Sequence, residues 1–270
     1  MKRYFLIFLC VSLFIIACTT NAITGRSQLS LVSEATLQQE AVSQYKSFLS
    51  SNKVVSSTAN KDAEMVKRVG TRIANAITQY YKNKGLSSEL NGYNWEFNLV
   101  DSKEVNAWCM PGGKVVVYTG LLPVTQNEAA LAIVLGHEIT HAVAHHGQER
   151  MSQELVAQSV GVVGDVFTQG NSNANNIFNA VFAPSAQVGV LLPNSRNQEY
   201  EADHYGLIFA AMAGYNPKEA VPFWQRMASK SGNSSTPEIL SSHPLDSKRI
   251  KKIEGYMSEA LKYYHPIGSK

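Results

Sequence analysis

The chain has 270 residues, and its 24 Lys or Arg against 21 Asp or Glu give a formal net charge of only +3. A nearly neutral chain gives no reason to expect a nucleic-acid partner or membrane binding through a basic surface. With only three cysteines, it is not a disulfide-stapled small domain. Its length suits one domain with a sizeable core.

The N-terminal residues have the pattern of a targeting segment. Lys2 and Arg3 precede an apolar run, residues 4–17, that is too short for an ordinary membrane span. The run ends in Ile-Ile-Ala-Cys, which is typical of a bacterial lipobox and predicts acylation of Cys18 after removal of residues 1–17. An ordinary cleaved signal peptide with an incidental cysteine is the alternative. We therefore expect a lipid anchor in the bacterial cell envelope.

Past the anchor, polar residues 18–32 predict a linker, and residues 33–270 predict a single domain. Apolar residues that recur every three or four positions predict packing helices over residues 33–49 and 61–82. The period then changes to alternation, which predicts three strands. These strands are expected over residues 95–100, 105–110 and 114–119.

The pentapeptide His137-Glu138-Ile139-Thr140-His141 places two histidines one helical turn apart. Both imidazoles can reach one metal ion, while Glu138 is offset by about 100° around the helix and can flank that ion without binding it. This is the H-E-x-x-H arrangement of two zinc ligands and a general base. Chance would supply it on the order of once per hundred chains of this composition, so the flanking sequence has to decide.

The flanks predict a buried helix around this pentapeptide. Thr125 and Glu128 form a capping box, with Thr125 as the N-cap. Residues 129–135 are apolar nearly all round, which favours burial, and Gly147 is a natural residue to end the helix. Polar side chains on a buried helix need partners, and a metal ion would provide them.

A third ligand is expected from the segment that contains Glu199 and Asp203. These two carboxylates are one helical turn apart, so one can bind the metal while the other accepts the free N–H of a ligand histidine. Glu201 would point to another face of the helix. It is expected to be solvated, or to hydrogen-bond a metal-binding side chain without binding the metal itself. His145 and His146 are interpreted as structural or solvated histidines near a helix end.

Four motifs together resemble one known family, the HtpX/BepA/LoiP zinc metallopeptidases, which are related to the CAAX prenyl protease. The motifs are H-E-x-x-H, Glu199-Tyr-Glu-Ala-Asp203, the strand Asn106-Ala-Trp-Cys-Met-Pro-Gly-Gly113, and His243-Pro-Leu-Asp-Ser-Lys-Arg249. The chain shows no 34-residue repeat and resembles the short lipoprotein members of the family.

The resemblance implies a role for each motif. It makes Glu199 the third zinc ligand and Asp203 the carboxylate that holds a ligand histidine. His243 would be a displaceable fourth ligand, and Arg249 would face the substrate carbonyl as a transition-state donor. A helix cap and a solvated arginine are the plain alternative for His243 and Arg249.

The strand motif is expected to line the cleft, where an edge strand can hold an extended substrate by main-chain hydrogen bonds. A structural hairpin without a substrate role is the alternative. The five residues of the expected substrate-binding strand are Asn106, Ala107, Trp108, Cys109 and Met110. Downstream, residues 168–176 are rich in Gly and Asn, and residues 177–192 are apolar but interrupted by polar residues and a proline. We expect residues 168–192 to cover the cleft or to touch lipid, without spanning the membrane.

Together these features predict an α+β fold: a mainly helical, zincin-like metalloprotease domain of the gluzincin type with a small β-sheet beside the active-site helix. One Zn²⁺ per chain and Glu138 as the catalytic base would make it an endopeptidase. The resemblance implies that its substrates are misfolded or misassembled envelope proteins, which is protein quality control. Thr19 in place of an aspartate after Cys18 favours the outer membrane, facing the periplasm.

Two other functions fit the same sequence. One is a zinc-binding envelope chaperone or assembly-factor lipoprotein, whose proteolysis is latent or gated by His243. The other is a structural lipoprotein in which the H-E-x-x-H pentapeptide arose by chance.

Overall fold

The computed structural model describes residues 18–158, 176–178, 181–182, 195–230, 237–244 and 247–268. The expected signal segment and most of residues 168–192 therefore lie outside the described residues. Among the residues that are described, no helix is both long enough and apolar enough to cross a membrane.

The described chain begins with an antiparallel hairpin of strands β1 (Cys18–Thr20) and β2 (Ser27–Leu29). The composition of this segment predicts a polar linker, yet the Asn21 and Gln28 side chains are buried. Both donate hydrogen bonds to the carbonyl of Ala144, at 2.8 and 3.0 Å. Because polar side chains with buried partners can dock a segment onto a domain, composition alone does not separate such a segment from a linker.

A second sheet has four strands in the order β3, β4, β6, β5. They are β3 (Val54–Val55), β4 (Glu96–Val100), β5 (Ala107–Met110) and β6 (Lys114–Tyr118). β4 and β6 are parallel, whereas the other neighbouring pairs are antiparallel. Strands β4 to β6 lie where the alternating pattern predicts them. β6 is buried along its whole length, and β5 is an edge strand, so one side of its backbone is unpaired in the sheet.

Helices account for most of the rest of the described chain. They are α1 (Glu34–Ser51), α2 (Lys61–Asn83), α3 (Leu122–Thr125), α4 (Glu128–Val143), α5 (His146–Gln158), α6 (Ser195–Met212), α7 (Ala220–Lys230), α8 (Glu238–Ser242) and α9 (Ser247–Ala260). The α+β class with a small sheet beside the active-site helix is confirmed.

The side chains of β6 alternate between two cores on the two faces of the sheet. Val115 and Val117 pack with α2, α4, α6, α7 and α9. Val116 and Tyr118 pack with α1 and α5 on the opposite face. This is the period of two that an extended strand imposes, and it places α4 directly behind the sheet.

The start of α4 differs from the prediction. Thr125 ends the short helix α3 and donates to the carbonyl of Leu122, and Gln126 has a left-handed φ of 66°. Because the chain turns there, the N-cap is Asn127, whose side chain accepts from the amide of Ala130. The capping box expected at Thr125 is therefore wrong by two residues.

The end of α4 also differs. Helix α4 stops at Val143, and the residue that turns the chain is His145, with a φ of 55°, rather than Gly147. A left-handed residue other than glycine is uncommon, so nothing in the composition indicates a helix break at this position. A new helix, α5, starts at His146.

Helices α4 and α6 touch backbone to backbone at Gly136 and Gly206. A β-carbon on Gly136 would lie 2.6 Å from the carbonyl oxygen of Gly206, and one on Gly206 would lie 2.8 Å from the amide nitrogen of His137. Only glycine at both positions permits this approach. The crossing brings the histidines of α4 next to the carboxylates of α6.

We expect Gly206→Ala to lower the free energy of unfolding by about 1–3 kcal/mol, because the added methyl group forces the two helices apart. Denaturant titration measures this change. Gly255→Ala is the matched control, since among the described residues a β-carbon there would meet nothing within 4 Å apart from its chain neighbours and the backbone of its own helix. In a helix such an exposed change should raise stability by about 0.5–1 kcal/mol. Equal stability of the two variants would contradict the close crossing.

Candidate metal centre and active-site cleft

Three side chains expected to bind a metal lie together between α4 and α6. The Nε2 atoms of His137 and His141 are 3.1 Å apart. The two oxygens of Glu199 lie 3.3 Å from these nitrogens, one facing each ring. All three residues are buried, at 2%, 5% and 5% exposure. The structure therefore brings together the residues that two separate motifs supply.

These spacings fit a single tetrahedral ion. Donor atoms held about 2.0–2.1 Å from one ion at tetrahedral angles lie about 3.3–3.4 Å from each other. Two imidazole nitrogens and a carboxylate oxygen at such distances would otherwise leave lone pairs facing one another in a buried site. The donor set thus fits a divalent metal such as zinc.

His243 supplies a fourth donor. It follows α8, and its Nδ1 lies 3.3 Å from Nε2 of His137 and 3.0 Å from an oxygen of Glu199. Donor atoms of His137, His141, Glu199 and His243 all lie within 4.8 Å of one another. His243 can therefore complete the tetrahedron where a water or a substrate would otherwise bind.

Asp203 lies on α6 one turn beyond Glu199 and faces the other nitrogen of His137. Its Oδ1 is 3.0 Å from Nδ1 of His137. A carboxylate there accepts a hydrogen bond from the Nδ1–H of His137. The ring proton is thereby kept on Nδ1, and the lone pair of Nε2 is directed at the metal position. This is the supporting role that the family resemblance implies for Asp203.

Arg249 lies behind the donors and not in the cleft. It donates from Nε and Nη2 to the two oxygens of Asp203, at 2.6 and 2.9 Å, and its Nη1 is 3.0 Å from Glu199. It is 1% exposed and lies over the ring of Trp224, 4.3 Å from the centroid. The transition-state role expected for Arg249 stays a prediction: its side chain is not among the residues that line the described cleft, and its Nη2 lies 3.3 Å from Nε2 of His137. Arg249 forms ion pairs with both carboxylates.

The charges of this cluster depend on each other. Burial alone would raise the pKa of Glu199, but the neighbouring His243 and Arg249 hold it well below its usual range. Burial lowers the pKa of His141 well below the ordinary value, so its ring is neutral and can bind a metal. For His137, burial and Arg249 oppose protonation, but the hydrogen bonds that its ring donates to Asp203 and Glu199 outweigh them and raise the pKa to about 9. A metal ion has to displace that proton.

Glu138 lies beside the donors without joining them. It is 3% exposed, and one of its oxygens, Oε2, is 3.6 Å from Nε2 of His243. Its other oxygen, Oε1, is buried and accepts no hydrogen bond from any part of the chain that the structure describes. A buried carboxylate oxygen without a donor is costly, and a water bound in the cleft would satisfy it.

A cleft opens from this cluster toward β5. Its walls include residues 106–111, with Glu138, His141 and His243 at its base. Val181 and Phe182, from the segment expected to cover the cleft, also line it. Because β5 is the edge of the sheet, its free backbone groups can pair with an extended peptide in the cleft. Cys109 lies on this strand, and burial raises the pKa of its thiol, so it is an unreactive residue.

The sequence did not indicate two residues of the site, one that lines the cleft and one that contacts a metal-binding histidine. Arg150 lines the cleft, which is the location expected for Arg249, and burial lowers its pKa. His146, interpreted as structural or solvated, is fully buried, with Nδ1 2.9 Å from Nδ1 of His141. Five residues on a continuous helix would place the two rings about 140° apart. The turn at His145 brings them together, and no sequence signal indicated it.

Comparison with known proteins agrees with the geometry. The model of peptidase family M48 matches residues 60–257. The chain belongs to peptidase family M48. This confirms the resemblance that the four motifs indicate.

The chain is similar to several characterised members. It is 36% identical over 188 residues to the mitochondrial metalloendopeptidase OMA1 of Arabidopsis thaliana, covering 69% of this chain and 37% of the relative. It is 32% identical over 193 residues to OMA1 of Saccharomyces cerevisiae, an alignment that covers 68% of this chain and 53% of the relative. It is 32% identical over 202 residues to the β-barrel assembly-enhancing protease of Yersinia pestis, in an alignment that covers 72% of this chain and 41% of the relative. The chain therefore spans about half or less of the length of these relatives.

We expect Glu199→Gln to lose most of the metal that the wild type retains, because a neutral amide is a poor ligand and only the imidazoles remain. His243→Ala should retain about one ion per chain, since three protein ligands suffice for an open site. Elemental analysis after equilibration with Zn²⁺ and desalting measures both. Full metal content in Glu199→Gln would contradict the assignment of this carboxylate as a ligand.

Proposed function

We propose that the protein is a zinc-dependent endopeptidase. The observation that carries the proposal is the convergence of His137, His141 and Glu199 on one point, with Glu138 beside it. Imidazole and carboxylate ligands in tetrahedral spacing suit zinc. Membership of a peptidase family and similarity to two named metalloendopeptidases support the same activity.

The roles of the chain's own residues follow from their positions. His137, His141 and Glu199 hold the zinc, which when bound acidifies water and polarises the scissile carbonyl. Glu138 takes a proton from the attacking water and delivers it to the leaving amine. The free edge of β5 aligns the peptide across the cleft through its backbone, so a wide range of side chains can be accepted.

Substrates in this proposal are misfolded or misassembled proteins of the bacterial cell envelope. An extended chain is the form of substrate that can add to an edge strand, and unfolded segments supply it. Similarity to a protein named for β-barrel assembly supports a place in envelope protein quality control. Proteins of this kind are its proposed partners, and no nucleic acid is among them.

The position of His243 favours a second candidate, an envelope assembly factor whose proteolysis is latent. Its Nδ1 occupies the fourth donor position, and its Nε2 faces Glu138. In this arrangement water and substrate reach the ion only after His243 withdraws. The two candidates share the metal centre and differ in whether the resting protein cleaves peptides.

Cleavage of unfolded casein by purified protein tests the proposal. We expect Glu138→Gln to reduce turnover by about 100- to 10,000-fold while zinc stays bound, because only the general base is lost. A Glu138→Gln variant that cleaves at the wild-type rate would contradict the mechanism. If the wild type is inactive and His243→Ala is active, the latent assembly factor is favoured instead.

We further propose that Cys18 carries a lipid that anchors the protein to the outer membrane, facing the periplasm. In the structure Cys18 is exposed at the start of β1, where an acyl chain would not disturb the core.

Expression of the full chain in a bacterium tests the anchor. The wild type should fractionate with membranes and show the mass of a lipid on Cys18. Cys18→Ser should lose both, since no acyl chain can be attached. A Cys18→Ser variant that remains in the membrane fraction would rule out this anchor.

A further inference from the structure

A chain of charged and polar contacts leads from the N-terminal hairpin to the metal ligand His141. Arg26 lies in the loop between β1 and β2 and makes two ion pairs. Its Nη1 and Nη2 donate to the two oxygens of Glu149, at 2.6 and 2.7 Å. Its Nε and Nη2 donate to the two oxygens of Glu201, at 2.7 and 3.2 Å. One guanidinium therefore fixes two carboxylates.

Glu201, held by Arg26, in turn contacts the ring of His146. The Oε2 of Glu201 lies 2.9 Å from Nε2 of His146. Because a carboxylate only accepts hydrogen bonds, Nε2 of His146 carries the proton, and in a neutral ring Nδ1 is then an acceptor. This tautomer follows from the hydrogen-bond partners.

His146 in turn orients His141. Their Nδ1 atoms are 2.9 Å apart, and since the Nδ1 of His146 accepts, the Nδ1 of His141 donates. The Nε2 of His141 is then the unprotonated nitrogen, and it is the atom that faces His137 and Glu199. The contact thus fixes both the tautomer and the plane of a metal-binding ring.

The hairpin is held in place independently of Arg26. Asn21 and Gln28 both donate to the carbonyl of Ala144, at the end of α4. The Tyr205 hydroxyl on α6 donates to the carbonyl of Ile23. These contacts hold the hairpin against both helices of the metal centre, so the backbone that carries Arg26 has a fixed position beside Glu149 and Glu201.

We propose that Arg26 is a positioning residue for the metal ligand His141, acting through Glu201 and His146. The hairpin of residues 18–29 is then a part of the metal centre and not a tether that precedes it. Without Arg26, Glu201 is free to rotate away from His146, and the ring of His141 loses the partner that fixes its orientation. The inference rests on the proposed zinc site.

Zinc affinity measured by competition with a chelator tests this inference. Removing a partner that orients a metal ligand from outside typically lowers metal affinity about 10- to 100-fold, and we expect this for Arg26→Met and for Glu201→Gln. Glu149→Gln is the matched control. It removes an equal charge from the same guanidinium, but the hydrogen bonds of the Glu149 carboxylate among the described residues go to Arg26 and two glutamines and not to the ring of His146, so affinity should change less than about threefold.

Thermal unfolding with and without Zn²⁺ separates positioning from simple stability. A merely structural role lowers the melting temperatures of both forms together and leaves the increase caused by zinc unchanged. A positioning role makes that increase smaller in Arg26→Met and Glu201→Gln. Should Arg26→Met fail to fold, Glu201→Gln carries the test alone.

A double-variant cycle tests the route. In a His146→Ala background, Arg26→Met should cause no further loss of zinc affinity, because the intermediate contact is already gone. An equal loss of zinc affinity in both backgrounds, or unchanged affinity in Arg26→Met and Glu201→Gln, would overturn this inference and leave the proposed function standing. A wild type that binds no zinc would overturn the proposed function and, with it, this inference.

Discussion

The metal centre depends on the contact between α4 and α6 at Gly136 and Gly206. With no side chain at either position the two backbones touch, and His137 follows directly after the contact. Glu199 lies about two helical turns before Gly206 on α6 and Asp203 about one, so the same crossing sets their distance from the imidazoles. Two short motifs about sixty residues apart thereby form one site.

The buried carboxylates around the two ligand histidines are stabilised by two arginines. Arg249 forms ion pairs with Asp203 and Glu199 on one side of the cluster, and Arg26 forms ion pairs with Glu149 and Glu201 on the other. Loss of one member would leave an uncompensated buried charge, which costs far more than the pair contributes. In this arrangement each ligand histidine is held from behind, His137 by Asp203 and His141 by His146, while Nε2 of both rings faces the same point.

The sequence predicted those parts that depend on local spacing. The i, i+4 pairs of α4 and α6, the helices α1 and α2 and the alternation of β4 to β6 were all readable, because helix and strand periods fix them. It did not predict features that depend on where the chain turns. The left-handed residues Gln126 and His145 moved the start of α4 and redirected His146. Nor did it predict the ion pairs of Arg249 and Arg26, because the partners of both arginines are distant in sequence.

The most direct test of this account is anomalous diffraction at the zinc absorption edge from crystals of the wild-type protein. The account predicts one peak per chain, about 2.0–2.1 Å from Nε2 of His137, Nε2 of His141 and an oxygen of Glu199. Crystals grown with zinc that show no peak between α4 and α6, or a peak elsewhere with Glu199 turned away from both imidazoles, would contradict it.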